Sequence, residues 1–171
     1  MGPRHKGTGN TMNPTSPIVI GCDHAAVALK EIIKAYLVDK AGIEVKDVGT
    51  FTTDSVDYPD YAIQVARAVS EGTHERGVLI CGTGIGMSMA ANRFPRVRAA
   101  LCNDLFAARL SRQHNNANIL VMGGRVIGDV LAIEILKTWL DTPFEGGRHQ
   151  ARLDKFDQVC CGRGSGGLVT P

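Results

Sequence analysis

This 171-residue chain predicts an α/β fold, a parallel sheet covered by helices on both faces, and three observations carry that expectation. Short apolar, β-branched runs alternate with stretches of helical period from residue 17 to residue 160. The run Val78-Leu79-Ile80 passes through Cys81 into Gly82-Thr83-Gly84-Ile85-Gly86, a glycine-rich turn followed by helix-forming residues. No internal repeat or linker interrupts the series, so an apolar content of 44 % serves one core.

Taken in order, Pro17-Ile-Val-Ile-Gly-Cys22 is the first buried strand. Leu29, Ile32, Ile33 and Leu37 recur at three- and four-residue spacing, which predicts an amphipathic helix over 25–37. A second strand spans 43–48, and a polar loop over 49–60 ends in Asp57-Tyr58-Pro59-Asp60. A helix over 61–69 leads to the third strand and its glycine turn, with helical composition from Met87 onward. The fourth strand spans 97–102, and Asp104 caps a helix that runs to His114. Residues 118–122 form the fifth strand, Gly123-Gly124 leads to a helix over 129–140, and a last helix runs from about 147 to 160. Residues 1–16 lack periodicity and are expected to be a disordered extension; 161–171, rich in glycine, a flexible tail; 17–160, one domain.

A formal charge of +2 with no lysine- or arginine-rich block gives no reason to expect a nucleic-acid partner. No apolar run reaches the ~18 residues of a membrane span, and the N-terminus lacks the apolar core of a secretory signal. Five cysteines without paired spacing suggest free thiols in a reducing compartment. The expectation is a cytoplasmic protein with no membrane partner.

Parallel sheets bind ligands beyond the carboxyl ends of their strands, so the strand ends are the shortlist. Gly82, Gly84 and Gly86 let the backbone turn sharply and approach a ligand closely. The helix beyond them aims unpaired N–H groups and its positive dipole end at one point, which suits an anion or a developing oxyanion. Cys81 stands beside that cluster, where a thiolate is favoured; a buried structural cysteine is the alternative. Asp23 and His24 follow the first strand, Asp23 also being a natural helix cap. His114 closes the fourth helix, where an imidazole also complements the dipole. Arg148 and Arg152, four apart, make a phosphate clamp or a solvated basic face. Cys102, Asn103 and Asp104 read as a cap, and Cys160-Cys161 as bystanders. No P-loop, zinc spacing or Ser-His-Asp pattern is present. A thiol beside donors aimed at a negative oxygen suits proton transfer next to a carbonyl.

A nucleotide-binding module is the rival from another class. Gly82-x-Gly84 opens a helix and Asp104 lies about 20 residues on, as in dinucleotide sites. Met87, however, occupies the place of that fingerprint's third glycine.

Five blocks together resemble ribose-5-phosphate isomerase type B: Gly21-Cys-Asp-His24, Asp57-Tyr58-Pro59, Ile80-Cys-Gly-Thr-Gly-Ile-Gly86, Ser111-Arg-Gln-His-Asn115 and Glu145-Gly-Gly-Arg-His-Gln-Ala-Arg152. The same family includes allose- and galactose-6-phosphate isomerases, and the resemblance runs from about 18 to 157. It implies a Rossmann-like three-layer α/β/α sandwich with a five-stranded parallel sheet. It also implies a homodimer, or a tetramer built from it, whose active sites combine residues of both subunits. The implied reaction is the interconversion of ribose 5-phosphate and ribulose 5-phosphate in the non-oxidative pentose phosphate pathway. It would run through an enediolate without metal or other cofactor, with a six-carbon sugar phosphate as the alternative substrate. Cys81 falls on the family's catalytic base; Met87 stands where some members carry a glutamate base instead. Gly82, Thr83, Gly84 and Gly86 match the loop that holds the enediolate oxygens. His114 matches the residue that opens the furanose ring, Asp23 and Tyr58 position neighbouring groups, and Asn115 holds a sugar oxygen. His24, Arg125, Arg148 and Arg152 match the phosphate site; Tyr58 and Arg125 rest mainly on the resemblance.

Overall fold

The computed structural model describes residues 16–161; the expected extension before them and the tail after them lie outside the described residues. Five parallel strands form one sheet in the order β2-β1-β3-β5-β4. These are β1 Ile18–Cys22, β2 Val45–Asp47, β3 Arg76–Cys81, β4 Ala99–Leu101 and β5 Ile119–Gly123. Six helices join or follow them: α1 Val27–Ala35, α2 Tyr58–Ser70, α3 Ile85–Ala91, α4 Leu105–Gln113, α5 Asp129–Asp141 and α6 Arg148–Cys161.

Side chains alternate across the pleat and so divide the interior in two. Ile18, Ile20, Val78, Ile80, Leu120 and Met122 face one layer, where Leu29 and Ile33 of α1, Ala108 of α4 and Ile135, Leu136 and Trp139 of α5 cover them. Val19, Leu79, Ile119 and Val121 face the other, under Ala62, Val65 and Ala66 of α2 and Met87 and Ala91 of α3. Burial on both faces explains why the three central strands read as unbroken apolar runs. The result is the expected three-layer Rossmann-like sandwich. No helix among the described residues is long and apolar enough to cross a membrane.

Element boundaries differ from expectation for local reasons. The first helix opens as a 3₁₀ turn, His24–Ala26, because the Asp23 carboxylate accepts from the Ala25 N–H at 3.0 Å and its carbonyl from the Ala26 N–H at 3.1 Å. That helix then widens into a π turn over Tyr36–Lys40, where the Ala41 N–H reaches back to the Tyr36 carbonyl. α2 starts three residues early because Pro59 in its first turn needs no N–H partner and is preset for helix. The edge strands β2 and β4 are short. On β4 the side-chain amide of Asn92 accepts from the Ala99 N–H and donates to the Ala99 carbonyl, both at 2.9 Å, so a side chain occupies the outer edge.

Lys30 is wholly buried although it sits on an amphipathic helix. Its Nζ donates to Asp47 Oδ1 and to the Thr50 carbonyl, both at 2.9 Å, and lies 4.3 Å from the centre of the Phe51 ring. This ammonium therefore ties α1 to the end of β2 and to the loop that leads to Tyr58. Burial disfavours the charge on Asp47, yet hydrogen bonds from Lys34, Lys30 and the Gly49 N–H outweigh it and hold the carboxyl below its ordinary value. A depressed carboxyl stabilises the fold fully above its unfolded value, and that contribution is lost as pH falls through the lower folded one. Lys30→Met should cost about 3 kcal/mol, the lower end for breaking a buried pair, since Lys34 still faces Asp47. Urea unfolding checks this, and an unchanged midpoint contradicts the role given to Lys30.

Candidate active site

The chain leaves β1 for β2 on one side and returns to β3 on the other, which opens a crevice beyond the carboxyl ends of β1 and β3. Backbone bonds draw the neighbouring strand ends together. The Asp23 N–H donates to the Ile80 carbonyl at 3.2 Å, the Gly124 N–H to Cys81 at 2.8 Å, and the Arg125 N–H to Gly82 at 3.0 Å. Residues following three different strands thus meet at one edge.

Cys81 ends β3, 4 % exposed, and its sulfur accepts from the Gly84 N–H at 3.1 Å. Gly84 is the residue before α3 and adopts φ 79°, a left-handed conformation. A Cβ there would come within 2.4 Å of Leu101 Cδ1 and 3.1 Å of the Met122 carbonyl, so only glycine brings this N–H onto the sulfur. Burial pushes Cys22 up to about 12 and Cys102 up to about 11, and neither adjoins the glycine turn. Such thiols stay protonated and inert at neutral pH.

The flanking residues fall around this centre. A Cβ on Gly86 would lie 2.6 Å from Tyr58 Cε2 and Cζ, so the Tyr58 ring rests on the first turn of α3. The Arg125 side chain runs alongside Gly82, its Cδ 3.6 Å and Nε 3.9 Å from the place of a Cβ. Thr83 is exposed, and its Oγ1 accepts from the Ile85 N–H at 3.4 Å. His24 Nδ1 accepts from the Val56 N–H at 3.2 Å, which assigns the proton of the neutral ring to Nε2 and ties the 49–57 loop to this histidine. Asp23 is buried and spends one oxygen on capping.

The remaining candidates lie elsewhere. His114 follows the last turn of α4, and four residues later Asn118 accepts from the Gly77 N–H at the opening of β3. Ile119, the first residue of β5, pairs with Gly77, whereas Cys81 pairs with Gly123. The four-residue step between those pairs is roughly 13 Å of strand. His114 and Asn115 thus occupy the amino edge of the sheet and Cys81 the carboxyl edge. Arg148 and Arg152 belong with His114, because the Glu145 N–H donates to the Gln113 carbonyl at 3.0 Å and seats the start of α6 on the end of α4.

Two residues without an assigned role complete this second cluster. The His149 ring is buried and stacks on His114, centroids 4.2 Å apart and planes within 5°. Glu145 Oε2 lies 3.6 Å from His149 Nε2 and 3.9 Å from His114 Nε2. Burial, then the neighbouring His114, Arg148 and Arg152, push His149 below its ordinary value. Their i,i+4 spacing was visible in the sequence; their meeting with a histidine far upstream was not. Among the described residues, His114, Glu145 and His149 form a group of side chains that could hold a metal ion.

A thiol at the crevice of a Rossmann-like sheet, met by a glycine-turn N–H, defines a class of α/β enzyme site. A family model described as Ribose/Galactose Isomerase matches residues 18–156, and the chain belongs to that family. It is 50 % identical over 142 residues to ribose-5-phosphate isomerase B of Escherichia coli (strain K12), covering 83 % of this chain and 95 % of that one. The crystal structure of a ribose 5-phosphate isomerase from Thermotoga maritima superposes with a TM-score of 0.81 at 55 % identity, covering 84 % and 99 % of the two chains. Ribose-5-phosphate isomerase B from Mycoplasma genitalium, crystallised with bound ribulose 5-phosphate, superposes with a TM-score of 0.82 at 41 % identity, covering 85 % and 97 %.

Gly86→Ala is expected to push the Tyr58 ring off α3 while leaving the sheet intact. Turnover should drop by about tenfold or more, as small misplacements at reacting centres do, with little change in melting temperature. Undiminished turnover contradicts the placement of Tyr58 in the site.

Proposed function

We propose that the chain interconverts D-ribose 5-phosphate and D-ribulose 5-phosphate through an enediolate, with Cys81 as the acid–base group and no metal. The observation that carries this reading is the Cys81 sulfur at the carboxyl edge, in contact with the glycine-turn N–H of Gly84. In the open-chain aldose the Cys81 thiolate takes the proton from C2, the electron pair becomes the C1–C2 double bond, and the C1 carbonyl pair moves onto O1. The C2 hydroxyl proton passes to O1, O2 becomes the ketone oxygen, and the Cys81 thiol returns its proton to C1. The developing oxyanions meet the backbone of Gly82, Thr83, Gly84 and Gly86, donors fixed before the charge appears. Asp23 and Tyr58 flank the reacting carbons. His24, through Nε2–H, and Arg125 face the phosphate from the same edge.

His114, Asn115, Arg148 and Arg152 lie at the other edge, so a complete site takes them from a second copy of the chain. The active unit is then a homodimer, or a tetramer built from it, with each site shared between subunits. Phe106 and Val130, apolar and 64 % and 78 % exposed on neighbouring helices, suit such a contact. In that arrangement the partner's His114 opens the furanose ring by exchanging protons with the ring oxygen and the C1 hydroxyl, leaving the thiol for carbon.

Cys81→Ala should lower isomerisation by ~10²–10⁴-fold, the usual loss of a general base, while the fold persists. A crippling Cys102→Ala beside a silent Cys81→Ala overturns the assignment. EDTA should leave activity unchanged; loss that a divalent ion restores contradicts the metal-free reading. Assays on ribose 5-phosphate, allose 6-phosphate and galactose 6-phosphate decide the substrate. Preference for a six-carbon sugar contradicts the pentose assignment.

His114→Asn should impair conversion of ribose 5-phosphate, which enters as a ring, more than the early steps from ribulose 5-phosphate, which enters as an open chain. Exchange of the transferable proton with solvent, followed from the ketose, should persist. Its loss to the extent seen in Cys81→Ala makes His114 part of carbon proton transfer and contradicts the division of labour.

A further inference from the structure

We propose that His114, Glu145 and His149 form a site for a divalent transition-metal ion of the zinc class, and that filling it inhibits the enzyme by engaging His114. The inhibition rests on the ring-opening role given above to His114; the binding does not.

The three ligand atoms all lie within 4.8 Å of one another, with Glu145 Oε2 at 3.6 Å and 3.9 Å from the two Nε2 atoms. Zinc bonds to nitrogen and oxygen run about 2.0–2.2 Å, so an ion seated between the three is within roughly half an ångström of bonding distance to each. Two imidazoles and a carboxylate also make up a donor set of open zinc sites, which leave a fourth place for water. The cluster is held by its framework. Glu145 lies three residues before α6 and His149 is that helix's second residue, and the Glu145 N–H bond to the Gln113 carbonyl fixes this approach to α6 against the turn carrying His114. His149 is 4 % exposed, whereas the His114 and Glu145 side chains are 36 % and 49 % exposed, leaving a path for an ion from solvent.

Both Nε2 edges face one carboxylate oxygen, but the rings are parallel. To aim both lone pairs at one ion they must fan apart, so binding opens the stack. Arg148 and Arg152 stand near enough to His149 to act on its charge. Their repulsion of a cation sets the affinity below that of a dedicated structural zinc centre. The same ion withdraws the lone pair with which His114 accepts a proton, and activity falls.

Cobalt(II) titration of the full-length protein tests the site, because four- or five-coordinate cobalt absorbs in the visible where the hexaaqua ion scarcely does. A saturable band at one equivalent per chain, displaced by zinc, is expected. Glu145→Gln and His149→Ala should each weaken it by at least about tenfold, taking the loss of an outer-shell partner as the lower bound. Cys81→Ala should leave it unchanged. No saturable band, or a sulfur-to-cobalt charge-transfer band, overturns the site. In parallel, zinc should lower the conversion of ribose 5-phosphate in the unmodified enzyme, EDTA should restore it, and His149→Ala should blunt the effect. A normal band without inhibition upholds the ion site and overturns its inhibitory consequence, and with it the ring-opening role of His114.

Discussion

Parallel strands impose the constraint on which the site depends. Every strand of the sheet ends at one edge, and every returning helix that lies between two of them ends at the other. Cys81 terminates a strand; His114 follows a returning helix. No local adjustment of loops brings them together, because a strand's length of sheet separates them. The proposed chemistry, which needs both a carbon base and a ring-opening imidazole, would therefore draw its second half from another copy of the chain.

Within the carboxyl-edge half, precision comes from close backbone approach. Gly84 admits the left-handed turn that lays an N–H on the Cys81 sulfur, and Gly86 makes room for the Tyr58 ring. The loop leading to Tyr58 is fixed from two sides. Lys30, buried in the layer beneath, holds the Thr50 carbonyl, and His24 accepts from Val56. One buried ammonium thus links the packing of α1 to the placement of a side chain over the glycine turn. A charge in the core is costly unless its partners are complete, and here the carboxylate, the carbonyl and the aromatic face complete them.

Most of the fold was legible because short continuous apolar runs and helical spacing are local signals. What was misjudged depended on neighbours. β2 and β4 are shorter than their apolar runs because each is an edge strand with a single partner. α2 begins at Tyr58 because Pro59 starts a helix where it had been read as prolonging a loop. The glycine turn and its cysteine were legible because their chemistry is contiguous in the chain. Tyr58 and Arg125 were not, since they reach Gly86 and Gly82 only through folding, and family resemblance supplied them. Glu145 and His149 stood in view within a recognised block, yet their meeting with His114, on which His149 stacks, is recorded by no spacing.

The shared site is the central claim, and subunit complementation tests it most directly. Cys81→Ala and His114→Asn chains would be unfolded together, refolded as a mixture, and assayed on ribose 5-phosphate against each variant refolded alone. In a two-fold dimer that mixes freely, half the dimers are hybrid, and each hybrid has one intact and one doubly damaged site. The account predicts recovery to about a quarter of unmodified activity. If the hybrids are no more active than the separate variants, both groups act within one subunit and the two-edge site is wrong.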